Sequence, residues 1–211
     1  MREITNFKFN MGNAMSENFK TYTNEHYYAP DGKFKMEVAR EAYFEMMRYF
    51  QYPIPERFYT DDFWVKDFNI GNFVESGLAG IFWISSEEYN ISGHEMFLLP
   101  NQSVPEHWHV GTEITGPKLE AWHVRNGEIY TYSEGVASAD VENTIPSSHK
   151  ECTVAKKVQR VKPGEVAILS GAGERHWMRA GAEGAMVLIN DRVFTRLPVV
   201  CRGPLGRRRR R

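Results

Sequence analysis

The chain has 211 residues, 42% of them hydrophobic, and a formal net charge of -1. That is enough apolar material for one sizeable domain with a full core and an extension, and the near-zero charge excludes binding to nucleic acid by bulk charge. The two cysteines, Cys152 and Cys201, show no repeat or tight spacing, so a disulfide scaffold is not expected and a reducing cytoplasm is the default compartment.

The N-terminus lacks an apolar signal core, and no stretch approaches the ~20 apolar residues of a membrane helix. Residues 1 to about 30 are polar and aromatic without a clear period, and Asp31-Gly32 marks a turn. From about 33 to 51 the pattern is helical: Met36, Ala39, Tyr43, Met47 and Phe50 recur at three- and four-residue spacing, which describes a core-facing stripe. Pro53 and Pro55 are expected to stop that helix. Residues 1–60 thus read as an N-terminal extension.

After Pro55 short apolar runs alternate with turns over 61–200. The runs are Phe63-Phe68, Gly80-Ile84, Glu95-Leu99, Glu120-Arg125, Ile129-Tyr132, Val166-Leu169 and Met186-Ile189. Many short strands punctuated by glycine predict an all-β antiparallel sandwich or barrel. Asn126-Gly127, between two such runs, carries a hairpin signal. Residues 135–150, small and polar, read as a long loop. The chain closes, over 201–211, on a flexible tail ending in Arg207 to Arg211, a like-charge run of the kind that is usually disordered.

Chemistry concentrates in two segments. His107 and His109 are two apart, so on a strand they share a face, as do Lys118 and Glu120. His176 follows a glycine-rich turn, Gly171-Ala172-Gly173. Three imidazoles and one carboxylate converging inside a small barrel would hold a divalent ion with positions left open, a catalytic rather than a structural design. That nitrogen and oxygen set fits Mn²⁺, Fe²⁺, Co²⁺, Ni²⁺ or Zn²⁺, and ligand type does not decide among them. Two carboxylates compete for the acid ligand. Glu113 lies four residues beyond His109, in a loop; Glu120 lies on a strand, and a ligand fixed by regular structure favours Glu120. Trp122 shares parity with Glu120 and should point inward. His123 has the opposite parity, and His26, His94 and His149 have no partners in sequence, so all four read as ordinary histidines. Trp108 and Trp177 alternate away from the ligands and are expected to pack outside the barrel, against the N-terminal segment or a second subunit.

These residues resemble the cupin superfamily. Its first motif is matched by His107, His109, Glu120 and Gly127, with a longer gap before the glutamate than usual. Its second is matched by Gly164, Gly171-Ala172-Gly173 and His176, with glycine in the usual proline position. The chain looks most like the D-lyxose isomerase-like sugar isomerases among the cupins. The likeness runs through Leu98-Leu99-Pro100, Val104 to His109, Lys118-x-Glu120, Val161 to Glu165, His176 to Gly181, Glu183-Gly184-Ala185 and Phe194-Thr195-x-x-Pro198. It implies a double-stranded β-helix (jelly-roll) barrel and a metal-dependent aldose–ketose isomerase acting on a free pentose or hexose through a cis-enediol.

On that resemblance Lys118 stabilises a developing oxyanion and Glu113 is the base, with Glu106 behind it. Trp122, Arg175 and Arg192 are candidates to bind substrate. A homodimer is the ordinary expectation for such a barrel, without nucleic-acid or membrane partners. Two rivals share the ligand set. A cupin dioxygenase using Fe would need O₂, and a non-enzymatic sugar-binding cupin would bind without turnover.

Overall fold

The computed structural model describes residues 22–86, 88–89, 91–111 and 116–191. Two helices, α1 (Asn24–Tyr27) and α2 (Met36–Tyr49), precede eight strands. These are β1 (Phe63–Lys66), β2 (Leu78–Ser86), β3 (Ile91–Leu98), β4 (Ser103–His107), β5 (Ala121–Ser133), β6 (Lys157–Val161), β7 (Val166–Ile168) and β8 (His176–Asp191). Every pairing between strands is antiparallel. The sheet runs β1-β2-β3-β8-β5-β6, with β4 added on β8 and β7 on β5. The result is the antiparallel, mostly β architecture expected from the short-strand pattern, with the helices N-terminal to it. No helix among the described residues is long and apolar enough to cross a membrane.

Helix α2 buries Ala39, Ala42, Tyr43, Phe44, Met46 and Met47. Met36, expected on that stripe, is 44% exposed. The helix ends before the prolines by its own backbone. Gln51 takes φ 53, Gln51 N–H donates to Arg48 O at 3.0 Å and Tyr52 N–H to Met47 O at 2.8 Å. That is a Schellman arrangement, which satisfies the last carbonyls. The buried face of α2 packs with Phe58, Phe63, Phe73, Phe97 and Met186. A separate apolar interior is formed by Met96, Leu98, Trp122, Val124, Ile129, Ala167, Met178 and Ile189, among others.

Gln102 fastens helix to sheet. It is fully buried; its Oε1 accepts from Tyr43 O–H at 2.6 Å and from Leu99 N–H at 3.0 Å, and its Nε2 donates to Phe73 O at 2.6 Å. Gln102→Leu strands three buried polar groups. At ~1–3 kcal/mol for each unsatisfied group, the variant should lose at least ~3 kcal/mol of unfolding free energy in a urea titration.

Three expectations change. Asn126-Gly127 is not a hairpin turn: β5 runs through it, and its register against β8 shifts between Val124 and Asn126 and again between Gly127 and Ile129. Gly127 is needed there for a different reason, since its φ is 66° and an added Cβ would sit 2.0 Å from Gly184 O. Trp177 is fully buried, as expected of a packed face, but among the described residues its cover comes from later in the chain than the N-terminal segment. It stacks on Tyr132 with ring centroids 3.5 Å apart and packs with Val141, Ile145 and Ala155. Much of that cover comes from the segment read as a long loop, where short 3-10 turns form at Val141–Asn143 and Lys150–Cys152. Finally, Cys152 is disulfide-bonded, unlike the reduced thiol expected.

Candidate metal centre

The topology brings the two motif segments together. His107 ends β4 and His176 opens β8, and the two lie directly opposite each other in the β4–β8 pairing. His109 follows two residues after β4, and Glu120 immediately precedes β5. The carbonyl of Glu120 is held by Leu169 N–H at 3.1 Å. Each of the four side chains offers a ligand atom, and these atoms all lie within 4.8 Å of one another. All four residues are buried, with exposures of 8%, 2%, 5% and 0% for His107, His109, Glu120 and His176.

Backbone carbonyls decide which imidazole nitrogen faces inward. His107 Nδ1 lies 2.9 Å from Pro105 O and His176 Nδ1 lies 2.7 Å from Glu174 O. A carbonyl can only accept, so Nδ1 carries the proton in both rings and Nε2 carries the lone pair. His176 Nε2 is buried without a hydrogen-bond partner and stands 3.5 Å from Glu120 Oε2. A lone pair facing a carboxylate oxygen in a buried site is repulsive unless a cation lies between them. His109 Nε2 approaches the same oxygen at 2.5 Å. Three imidazoles and a carboxylate arranged in this way fit a divalent ion.

The electrostatics agree with that fit. Burial, reinforced by the neighbouring His176, pushes His107 down to about 3. Burial also lowers His109, against the pull of Glu120. Both of these imidazoles are therefore held in the neutral form that ligates metals. Burial alone would raise Glu120, but Lys118 and the imidazoles of His109 and His176 outweigh it and hold the carboxyl well below the usual carboxylate range.

Lys118 is 7% exposed, and its Nζ lies 3.7 Å from Glu120 Oε2. Trp122 is 2% exposed and packs its ring 5.4 Å from that of His176. Its indole Nε1 is buried and has no hydrogen-bond partner. Arg175 lies over the Trp108 ring at 5.0 Å and reaches to 3.8 Å from Glu106 Oε1. Glu113 and Arg192 lie outside the described residues. His26, His94, His123 and His149 are not members of the cluster. His149 is packed edge-on against Trp177, and burial lowers it to about 4. A cavity of about 700 Å³ between α2 and the 143–147 segment contains none of the four clustered residues.

Glu106, read as a reserve base, is occupied elsewhere. It is fully buried, and its Oε2 accepts Val154 N–H at 2.8 Å and Ala155 N–H at 2.7 Å. Alternation along β4 offers the signal for this, since Glu106 has the opposite parity to His107.

No family model matches the chain. Among curated proteins it is 33% identical to a D-lyxose ketol-isomerase of Cohnella laeviribosi over 124 residues, 58% of this chain and 66% of that protein. It is 27% identical to a D-lyxose/D-mannose isomerase of Thermosediminibacter oceani, over 74% of this chain and 83% of that protein. A D-lyxose ketol-isomerase of a Thermofilum species is 30% identical, over 58% of this chain and 67% of that protein. Among solved structures, L-ribose isomerase of Cellulomonas parahominis superposes with a TM-score of 0.59 at 12% identity, over 86% of this chain and 96% of that one. L-ribose isomerase of Acinetobacter sp. DL28 gives 0.56 at 14% identity, over 81% and 83%. At those identities the structural likeness establishes a shared fold. The sequence relatives establish more: the chain belongs to the D-lyxose isomerase family of sugar isomerases.

Proposed function

We propose that the chain interconverts an aldose of the D-lyxose or D-mannose class and its 2-ketose, with one divalent ion held by His107, His109, Glu120 and His176. The observation that carries this reading is the buried lone pair of His176 Nε2 facing Glu120 Oε2 beside the buried cation of Lys118, in a chain related to D-lyxose isomerases. When bound, the ion supplies Lewis-acid polarisation of a carbonyl oxygen. The protein supplies the rest. Lys118 places a positive charge within reach of a substrate oxygen that becomes negative as the proton leaves, and is the electrostatic stabiliser. Glu113, four residues beyond His109 in the sequence, is the proposed base: it takes the proton from the carbon bearing the hydroxyl and returns it to the neighbouring carbon through a cis-enediol, while the hydroxyl proton passes to the former carbonyl oxygen. Trp122 forms an inward wall of the sugar site. Mn²⁺ is the proposed ion, and an isologous homodimer the proposed assembly.

The test is an anaerobic assay of the purified protein with Mn²⁺ and a panel of pentoses and hexoses. Ketose should appear from D-lyxose or D-mannose without oxygen. Turnover that requires O₂ would identify a dioxygenase, and saturable sugar binding without any ketose would identify a binding protein.

A further inference from the structure

The ladder that should space His107 and His176 is irregular where they sit. The β4–β8 register shifts between Val104 and His107, so regular strand pairing does not by itself fix the separation of the two rings. A different set of bonds ties their strands together. Glu106, immediately before His107, accepts Val154 N–H at 2.8 Å and Ala155 N–H at 2.7 Å. Trp177, immediately after His176, donates its indole N–H to Ala155 O at 2.8 Å. The two neighbours of the facing histidines thus grip one dipeptide, Val154-Ala155, from strands that carry opposite halves of the centre.

Both grips are rigid. Glu106 is fully buried, and a buried carboxylate is costly unless donors surround it. Arg175, which precedes His176, approaches the other carboxylate oxygen at 3.8 Å. Trp177 is also fully buried and is flanked by the stacked Tyr132 ring and the edge-on His149 ring. Neither side chain has freedom to release the dipeptide without opening a void or leaving a buried charge bare.

We infer that Glu106 and Trp177 are positioning residues: by clamping Val154-Ala155 between β4 and β8 they set the separation of His107 and His176, and with it the affinity of the centre for its ion. This inference rests on the proposed metal-binding role of the cluster. Outer partners that orient ligands commonly govern affinity in this way.

The experiment is a calorimetric Mn²⁺ titration of the full chain and its variants, with melting temperature recorded alongside. Glu106→Ala should weaken Mn²⁺ binding about 10–100-fold in protein that is still folded at the titration temperature, while Glu106→Gln, whose amide oxygen still accepts both N–H groups, stays within about threefold. Trp177→Phe removes the indole donor but keeps an aromatic ring in place, and should weaken binding about tenfold. It carries the test should Glu106→Ala fail to fold. Lower melting temperatures with wild-type Mn²⁺ affinity in these variants would overturn the inference and leave the clamp as a fold stabiliser. A wild-type chain that takes up no Mn²⁺ or other divalent ion would instead overturn the metal-binding role itself.

Discussion

His176→Ala is expected to remove the ion and the isomerisation together. The wild-type ring is fully buried, its Nδ1–H is spent on Glu174 O, and its Nε2 lone pair has no proton donor to meet. A ring whose Nδ1–H is spent and whose Nε2 faces the centre has one remaining use there, to ligate. Alanine leaves two imidazoles and one carboxylate, and a three-ligand set in a cavity shaped for four loses both affinity and geometry. Elemental analysis of the purified variant should find far less than one ion per chain, with ketose formation falling in the same proportion. Full occupancy in the variant would remove His176 from the ligand set.

Lys118→Met separates binding from chemistry. The ammonium is buried and stands 3.7 Å from Glu120 Oε2, on the ligand side of the centre. Its charge competes with a bound cation for Glu120, so its loss should leave metal content intact or slightly higher. The rate should fall, because charge that develops on a substrate oxygen loses its preorganised partner. Loss of one such donor typically lowers kcat on the order of 10²–10³-fold. The expected result is therefore an enzyme with wild-type metal content and KM changed little, but with kcat reduced by about two orders of magnitude or more. A kcat near the wild-type value would assign Lys118 to charge balance for Glu120 alone.

The parts of the fold that were legible in the sequence are those written in one local pattern. Helix α2 shows its 3.6-residue stripe, although its end was read from Pro53 and Pro55 when the stop is the left-handed Gln51. Asn126-Gly127 misled because the same dipeptide serves a hairpin turn and a bulge; the choice is made by Gly184, whose backbone approaches from a strand far along the chain. Strand β4 was hidden by Pro105 and by burial of all five of its residues, which erases alternation. Strand β6, Lys157–Val161, is largely polar and exposed and carries little apolar signal.

The clustered residues were more legible than the scaffold. The spacing of His107 and His109, and of Lys118, Glu120 and Trp122, marks the cluster, but strand alternation does not account for it: only His107 and Trp122 lie on strands, and His109, Lys118 and Glu120, expected on strands, sit just outside β4 and β5. What surrounds them was not legible. Pro105 O and Glu174 O fix the ring tautomers, and Ala155 receives the clamp, all through the backbone, which leaves no mark on residue identity. Burial of Glu106 against the amides of 154 and 155 depends on a fold-back of the chain that no local pattern encodes.

Everything turns on whether one ion occupies the cluster and drives turnover. The most direct measurement is to strip the purified chain with a chelator and add Mn²⁺ back in steps without oxygen, following bound metal and ketose from D-lyxose in the same sample. No ketose is expected from the stripped protein, and catalysis by one bound ion should make activity rise linearly with occupancy to a plateau at one ion per chain. Undiminished ketose formation by the stripped protein, or stoichiometric binding with no ketose from any aldose offered, would contradict catalysis by a bound ion.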